Sequence, residues 1–185
     1  MLTINFGEFP VLHSNRLKLR LIQPSDAQKL FELRSHEQVL KYLDREPPKS
    51  VEEITELINQ IRNSYFENEG ISWVITLAEN DTLIGTVGFW KINKEHHRAE
   101  IGYMLHPDHW KNGIMTEALN TVLQHGFENI RFHSVEANVN PSNNPSINLL
   151  KKLNFVQEAY FKENYYAKGK FLDSVILSLI TPLKE

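Results

Sequence analysis

Residues 99–119 read AEIGYMLHPDHWKNGIMTEAL, and three signals meet in them. AEIGYMLH (99–106) has the composition of a strand. From Ile114 onward, apolar residues recur at helical spacing: Ile114, Ala118, Leu119, Val122 and Leu123. HSVEANV (133–139) follows as a second strand. A strand, a helix and a strand in this order predict a parallel, right-handed crossover. Ligands of such sheets sit at the carboxyl ends of the parallel strands, beside helix N-termini. The turn PDHWKNGIMTEA (107–118) lies at such a place. It has one glycine, a Thr-Glu pair at the helix entrance, and no acidic residue between Trp110 and Met115.

A helix entrance offers unpaired backbone N–H groups and about half a positive charge, and phosphates bind there. Gly113 lets the backbone approach a ligand without a Cβ in the way. Lys111 adds charge and Thr116 a hydroxyl. The same turn also reads as a plain connection, with Gly113 permitting the reversal and Thr116 capping. It matches neither GxxxxGK[ST] nor GxGxxG, so neither a nucleoside-triphosphate nor a dinucleotide reading has support.

Outward from this unit, RLKLRLI (16–22) alternates as a half-buried strand, and PSDAQKLFELR (24–34) as a helix with Pro24 near its start. SVEEITELINQIRNSYFE (50–67) opens on a capping box, Ser50-x-x-Glu53, with an apolar stripe at Val51, Ile54, Ile58, Ile61 and Tyr65. ISWVITLAE (71–79) and TLIGTVGFWKIN (82–93) predict a hairpin with its turn at Asn80-Asp81. NNPSINLLKKL (143–153) is a helix with Asn143 or Asn144 near the cap and Pro145 in its first turn. FVQEAYFKENYY and KFLDSVILSLI are strands about a turn at Lys168-Gly169. The order β-α-α-β-β-β-α-β-α-β-β predicts an α/β (α+β) fold. It has a mixed central sheet of about seven strands with helices on both faces, in a single domain over 1–185.

The 185 residues are 41% hydrophobic and carry a net charge of −3. A sequence-independent nucleic-acid binder needs a basic surplus, so no direct nucleic-acid partner is expected. No apolar run approaches the ~20 residues of a membrane span, and MLTINFGEFP has no signal-peptide pattern. No membrane partner and a cytoplasmic location are expected. There is no cysteine, which excludes disulfides, thiolate metal sites and a cysteine nucleophile. Of the eight histidines, His96-His97 and His106-x-x-His109 lie closest together. No H-E-x-x-H occurs, and no metal is expected.

NPSNNPSINLLKKLNFVQEA (140–159), taken with AEIGYMLHPDHWKNGIMTEAL, resembles the GNAT acetyltransferases, in particular the branch that acetylates ribosomal-protein N-termini. The likeness runs from NRLKLRLIQPSDAQKLFEL through IGTVGFWKIN to ENYYAKGKFLDSVILSL. It implies the GNAT fold, acetyl-CoA as cosubstrate, an amine acceptor (a protein N-terminus or a small molecule), and a possible homodimer. In the family, the loop Gln/Arg-x-x-Gly-x-Gly/Ala cradles the pyrophosphate of acetyl-CoA with backbone amides. Those positions are here Trp110, Lys111, Asn112, Gly113, Ile114 and Met115, with Thr116 next. Gly113 matches; Trp110 and Met115 depart, and a long Met115 side chain must leave room for phosphates. Trp110 reads equally as a packing aromatic over the loop.

The implied reaction is attack of an amine on the thioester. An N-terminal amine, near pKa ~7.7–8.0, is freed more cheaply than a lysine near ~10.4, by roughly 3 kcal/mol. That suits a sequence with no obvious strong base. Glu100 is the candidate base, acting through water; the alternative is a strand glutamate paired to Arg98 or a lysine. The resemblance implies an oxyanion donor at the backbone N–H of Met104 or Leu105, where the family's strands splay. Ser146 is placed to serve the thioester sulfur, or else only starts the helix. Asn143 caps and is available to pantetheine or phosphate, and Asn138 to the pantetheine amides. Asn154 stands at a helix end where a left-handed residue is needed. The leading reading is an acetyl-CoA-dependent N-acetyltransferase of protein or peptide N-termini. The alternatives are a small-molecule amine acetyltransferase and an inactive acyl-CoA-binding regulatory module.

Overall fold

A computed structural model describes residues 2–182. One sheet runs through it, built from β1 (Leu12–His13), β2 (Leu17–Leu21), β3 (Ile71–Leu77), β4 (Asn80–Asn93), β5 (Arg98–Leu105), β6 (Ser134–Val139), β7 (Val156–Ala167) and β8 (Lys170–Ile180). The spatial order is β1-β2-β3-β4-β5-β6-β8-β7. Seven of these strands stand where the alternating segments place them. The eighth, β1, has two residues, too few to leave an alternating pattern.

The helices are α1 (Ala27–Ser35), α2 (Glu37–Leu40), α3 (Val51–Phe66), α4 (Ile114–His125) and α5 (Asn144–Lys152). On one face, α1 and α3 bury Leu30, Leu33, Ile54 and Ile58 against Ile22, Val74 and Leu83. On the other, α4 and α5 bury Ala118, Leu119, Val122 and Leu150 against Trp73, Phe89, Ala99 and Val135. Each fully buried aliphatic or aromatic side chain contributes about 1.5–3 kcal/mol. Helices thus cover both faces, as the binary pattern requires. The turn α2 has four residues and is capped by His36, whose Nδ1 accepts from Gln38 N–H; it is too short to show periodicity.

Three local expectations are refined. The β3–β4 turn falls on Ala78 and Glu79, with Leu77 facing Asn80, rather than on Asn80-Asp81. The buried ladder from Ile71↔Phe89 to Ile75↔Gly85 fixes that register, and Asn80 instead accepts from Thr82 N–H at 3.0 Å. At the start of α3, Ser50 Oγ accepts from Glu53 N–H at 3.4 Å, but the Glu53 carboxylate takes the N–H of Lys49 at 2.9 Å. Only half of the capping box forms. The helix begun by α4 widens into a π turn at Gly126–Ile130. A Cβ on Gly126 would meet Phe89 Cζ at 2.7 Å, so the glycine makes room for that ring. The turn at Lys168-Gly169 has positive φ at both residues (49° and 79°), matching a tight hairpin connection.

The crossover from β5 through α4 to β6 is parallel, as its spacing predicts. Its ladder is short: Arg98↔Ser134, Ala99↔Val135 and Glu100↔Glu136. Beyond Glu100 the two strands part. β5 stays with β4 as far as Gly85↔Leu105, and β6 stays with β8 as far as Val139↔Val175.

Candidate active site

The gap between β5 and β6 is bordered by the residues that the sequence singles out. At its edge the turn before α4 is fastened to the end of β5: Trp110 Nε1 donates to Leu105 O at 2.8 Å. Trp110 is 39% exposed, so its indole is both tether and partial cover. Lys111 and Gly113 are both left-handed, at φ 61° and 75°. For Lys111 this conformation costs about 1 kcal/mol, while for glycine it is free. The first helical bond closes from Glu117 N–H to Gly113 O at 3.0 Å. The backbone N–H groups from Lys111 through Thr116 donate to no acceptor among the described residues. Met115 is buried in the core beneath α4, so its length does not obstruct the loop. Ile114 is buried with it, Thr116 is half-buried, and Lys111 and Asn112 are exposed.

Arg16, at the end of the segment leading into β2, holds this turn from outside. Its Nη1 donates to Asn112 O at 2.9 Å, and its Nε and Nη2 reach Glu117 Oε2, each at 2.7 Å. Glu117 Oε1 accepts from Ser14 Oγ at 2.7 Å and from Arg16 N–H at 2.8 Å. Burial pushes the Glu117 carboxyl up, but these donors outweigh it and hold the group below the usual carboxylate range. A Cβ at Gly113 would lie 3.4 Å from Arg16 Nη2. Sequence reasoning missed Arg16, because its partners are 96 and 101 residues away and nothing local marks it.

On the α4/α5 side of the gap, Tyr103 Oη and Ser146 Oγ are 2.7 Å apart. Ser146 lies in the first turn of α5, where Asn143 Oδ1 accepts its N–H at 3.1 Å. Asn143 is therefore the cap, and its amide NH2 is left to other partners. Burial pushes the Tyr103 phenol up to about 12, against a smaller opposing effect of Ser146. It stays protonated at neutral pH and able to donate. Tyr103 was also missed; its only signal was its strand phase, shared with Ala99, Ile101 and Leu105.

The opposite strand phase carries Glu100, Gly102 and Met104. Glu100 is 6% exposed, and its Oε2 accepts from Lys91 Nζ at 2.8 Å. The lysine-paired alternative raised for this glutamate is therefore present, and the structure does not bring Glu100 to Ser146. They lie on opposite faces of the sheet. On the Glu100 face, Trp90 overhangs Gly102, where a Cβ would sit 3.9 Å from the indole Nε1. Arg98 there joins Glu136 at 2.7 Å and Ser178 at 3.2 Å. Asn138 lies exposed on β6 in the same phase as Glu136.

Of Met104 and Leu105, the pleat separates the two. His106 N–H donates to Ile84 O on β4 at 2.8 Å. Alternation turns the Met104 N–H the same way and the Leu105 N–H toward the gap. The Leu105 carbonyl, bound by Trp110, faces that side as well. Asn154 is left-handed at φ 65°, closing α5 as its position implies. Among the described residues no group of three or more His, Asp or Glu side chains is placed to hold a metal, and no helix is long and apolar enough to cross a membrane.

Comparison with known proteins agrees with this architecture. The family model for the acetyltransferase (GNAT) domain matches residues 16–156. The Bacillus subtilis (strain 168) protein named uncharacterized N-acetyltransferase YoaA is 34% identical over 174 residues, covering 94% of this chain and 98% of that protein. The spermidine N(1)-acetyltransferase of Vibrio cholerae is 26% identical over 160 residues, 86% of this chain and 90% of that one. The crystal structure of the ribosomal-protein-S5-alanine acetyltransferase of Vibrio fischeri superposes with a TM-score of 0.81 at 25% identity, covering 94% and 97%. Strand order, the parted β5–β6 pair and these matches agree: the chain belongs to the GNAT family of N-acetyltransferases, enzymes that transfer acetyl to an amine.

Proposed function

We propose that the chain transfers acetyl from acetyl-CoA to the free N-terminus of a protein or peptide. One observation carries the donor site. A run of unpaired N–H groups, Lys111 to Thr116, is fastened to the end of a strand that has left its parallel neighbour. The run fits a pyrophosphate: its donors lie together at a helix entrance, and Gly113 presents no Cβ. Asn138 and the Asn143 amide border the gap along which pantetheine would lie.

When bound, acetyl-CoA supplies the thioester carbonyl that the amine attacks. The Leu105 N–H is directed at the oxygen on which charge develops, and such a donor contributes several kcal/mol. Glu100 serves the acceptor face: Lys91 holds its Oε2, and Oε1, which has no partner among the described residues, takes the ammonium proton through water. Ser146, on the other face, gives its hydroxyl proton to the departing sulfur and regains one from Tyr103, and the phenol is restored through solvent by the second proton that the acylated nitrogen sheds. The new N–C bond forms as the C–S bond breaks. Placing the base and the acid on opposite faces keeps each from neutralising the other.

The N-terminal acceptor rests on the low cost of freeing such an amine, and on kinship with a ribosomal-protein acetyltransferase. The likeness to a spermidine acetyltransferase makes polyamines the rival acceptor. Thiol release decides between them, since a chain without cysteine contributes no thiol of its own. Ser- and Ala-starting peptides should release CoA, and an N-terminally blocked lysine peptide should not. Release with spermidine alone would overturn the acceptor assignment.

A further inference from the structure

Two arginines stand apart from this machinery. Arg34, in the last turn of α1, and Arg45, between α2 and α3, line an open cavity of about 210 Å3 bordered by α3. Neither makes an ion pair among the described residues, and Arg34 makes no hydrogen bond there either. Arg45 Nη2 donates to Met104 Sδ at 3.1 Å, a weak acceptor, and its buried Nε has no partner. Glu46, Glu53 and Glu56 also border the cavity. All three are exposed, and Glu53 is engaged by Lys49 N–H. Burial and then the charge of Arg45 push Arg34 down to about 10, with Glu53 opposing weakly. Two guanidinium groups therefore share one partly dry site in which no carboxylate pairs with either among the described residues. Such a site is costly unless something negative completes it.

Its position relates it to the reaction. Met104 precedes Leu105 at the mouth where β5 and β6 part. The segment carrying Arg45 is clamped there by the β7–β8 hairpin. Tyr165 Oη donates to the Asp44 carboxylate, and Lys168 Nζ to Leu43 O at 3.1 Å. Arg45 thus lies between the parted strands and the cavity. We propose that Arg34 and Arg45 form an anion subsite for the acceptor, holding a carboxylate that the acetylated molecule carries near its amine. Guanidinium pairs suit that group because their fork matches its two oxygens. The inference rests on the proposed transfer. It names a class of acceptor, amines with a nearby carboxylate, in preference to polycations.

The test compares two peptides with amidated C-termini, one beginning Ala-Glu and the other Ala-Gln, with free glutamate and spermidine as further acceptors. Thiol release is measured for the wild type, Arg34→Gln and Arg34→Lys, and acetyl-CoA binding is titrated separately on each. The expected result is about tenfold higher kcat/KM for the Ala-Glu peptide than for the Ala-Gln peptide, the size of one charge-assisted hydrogen bond. Arg34→Gln should abolish that preference by raising KM for the acidic peptide alone, and Arg34→Lys should restore part of it. Preference for free glutamate over the acidic peptide would identify the carboxylate as that of a small amino acid, with the subsite intact. Equal use of both peptides, preferred use of spermidine, or an Arg34→Gln loss shared by both peptides would overturn the subsite while leaving the transferase. Failure of the wild type to bind acetyl-CoA would overturn the transferase reading and the subsite with it.

Discussion

At the scale of single residues, Gly113 and the Tyr103–Ser146 pair bear most of the account. Gly113→Asp adds a carboxylate and a Cβ beside the open N–H run, at φ 75°. It should abolish acetyl-CoA binding by calorimetry while circular dichroism reports a folded chain. Retained affinity would contradict the cradle. Ser146→Ala should lower kcat about tenfold with little change in KM for acetyl-CoA, since a thiol near pKa ~8.5 leaves fairly well unaided. Tyr103→Phe should reproduce part of that loss. The double variant should match Ser146→Ala alone, because the phenol acts only through the serine. Additive losses would show that Tyr103 works independently. Much at this scale was legible. Gly113, Asn143 and Asn154 act through their own backbone or one turn away, so local sequence marks them. Tyr103 and Arg16 act through partners 43 and 101 residues distant, and no local pattern announces such contacts.

Between elements, the clamp of the β2 leader on α4 sets where the turn lies, and its pH dependence has a definite sign. The Glu117 carboxyl titrates lower in the folded chain than in the unfolded one. Such a group stabilises above its unfolded value of about 4.3 and loses that contribution as pH falls through the folded value. Glu117→Gln should therefore cost about 1–2 kcal/mol at pH 7, the worth of charge-assisted hydrogen bonds. The gap should narrow as pH falls below the unfolded carboxylate value, by urea unfolding at pH 7 and at successively lower pH. An unchanged gap would assign the loss to packing instead. A second junction is the buried pair Arg20–Asp26, with both bonds at 2.8 Å, which pins the start of α1 to β2. Asp26→Ala leaves the buried Arg20 with one carboxylate, Asp81 on its Nε at 3.0 Å, and should cost about 1.5–3 kcal/mol, the worth of hydrogen bonds to a charged group. Helices and long strands were readable from periodicity alone. The β3–β4 turn was misplaced by two residues because register comes from buried cross-strand partners, which turn composition does not encode.

Over the whole molecule, fold and reaction class came from the order of several modest signals, whereas the acceptor did not. The proposed phosphate cradle is built from one contiguous unit, β5-turn-α4, whose chemistry lies close in sequence, with Asn138 of β6 and the start of α5 beside it. The acceptor side gathers β4, β5, the segment before α3 and the β7–β8 hairpin, and its arginine pair appears only once those parts are packed together. The central claim is that acetyl-CoA lies in the parted β5–β6 gap with its phosphates on the amides of Lys111 to Thr116. Amide hydrogen exchange with and without acetyl-CoA tests this most directly, because those N–H groups are open in the free chain. Acetyl-CoA should slow exchange across residues 107–118 and at the end of β5, and leave the β3–β4 turn unchanged. Binding without protection of residues 111–116 would place the cofactor elsewhere and contradict the account.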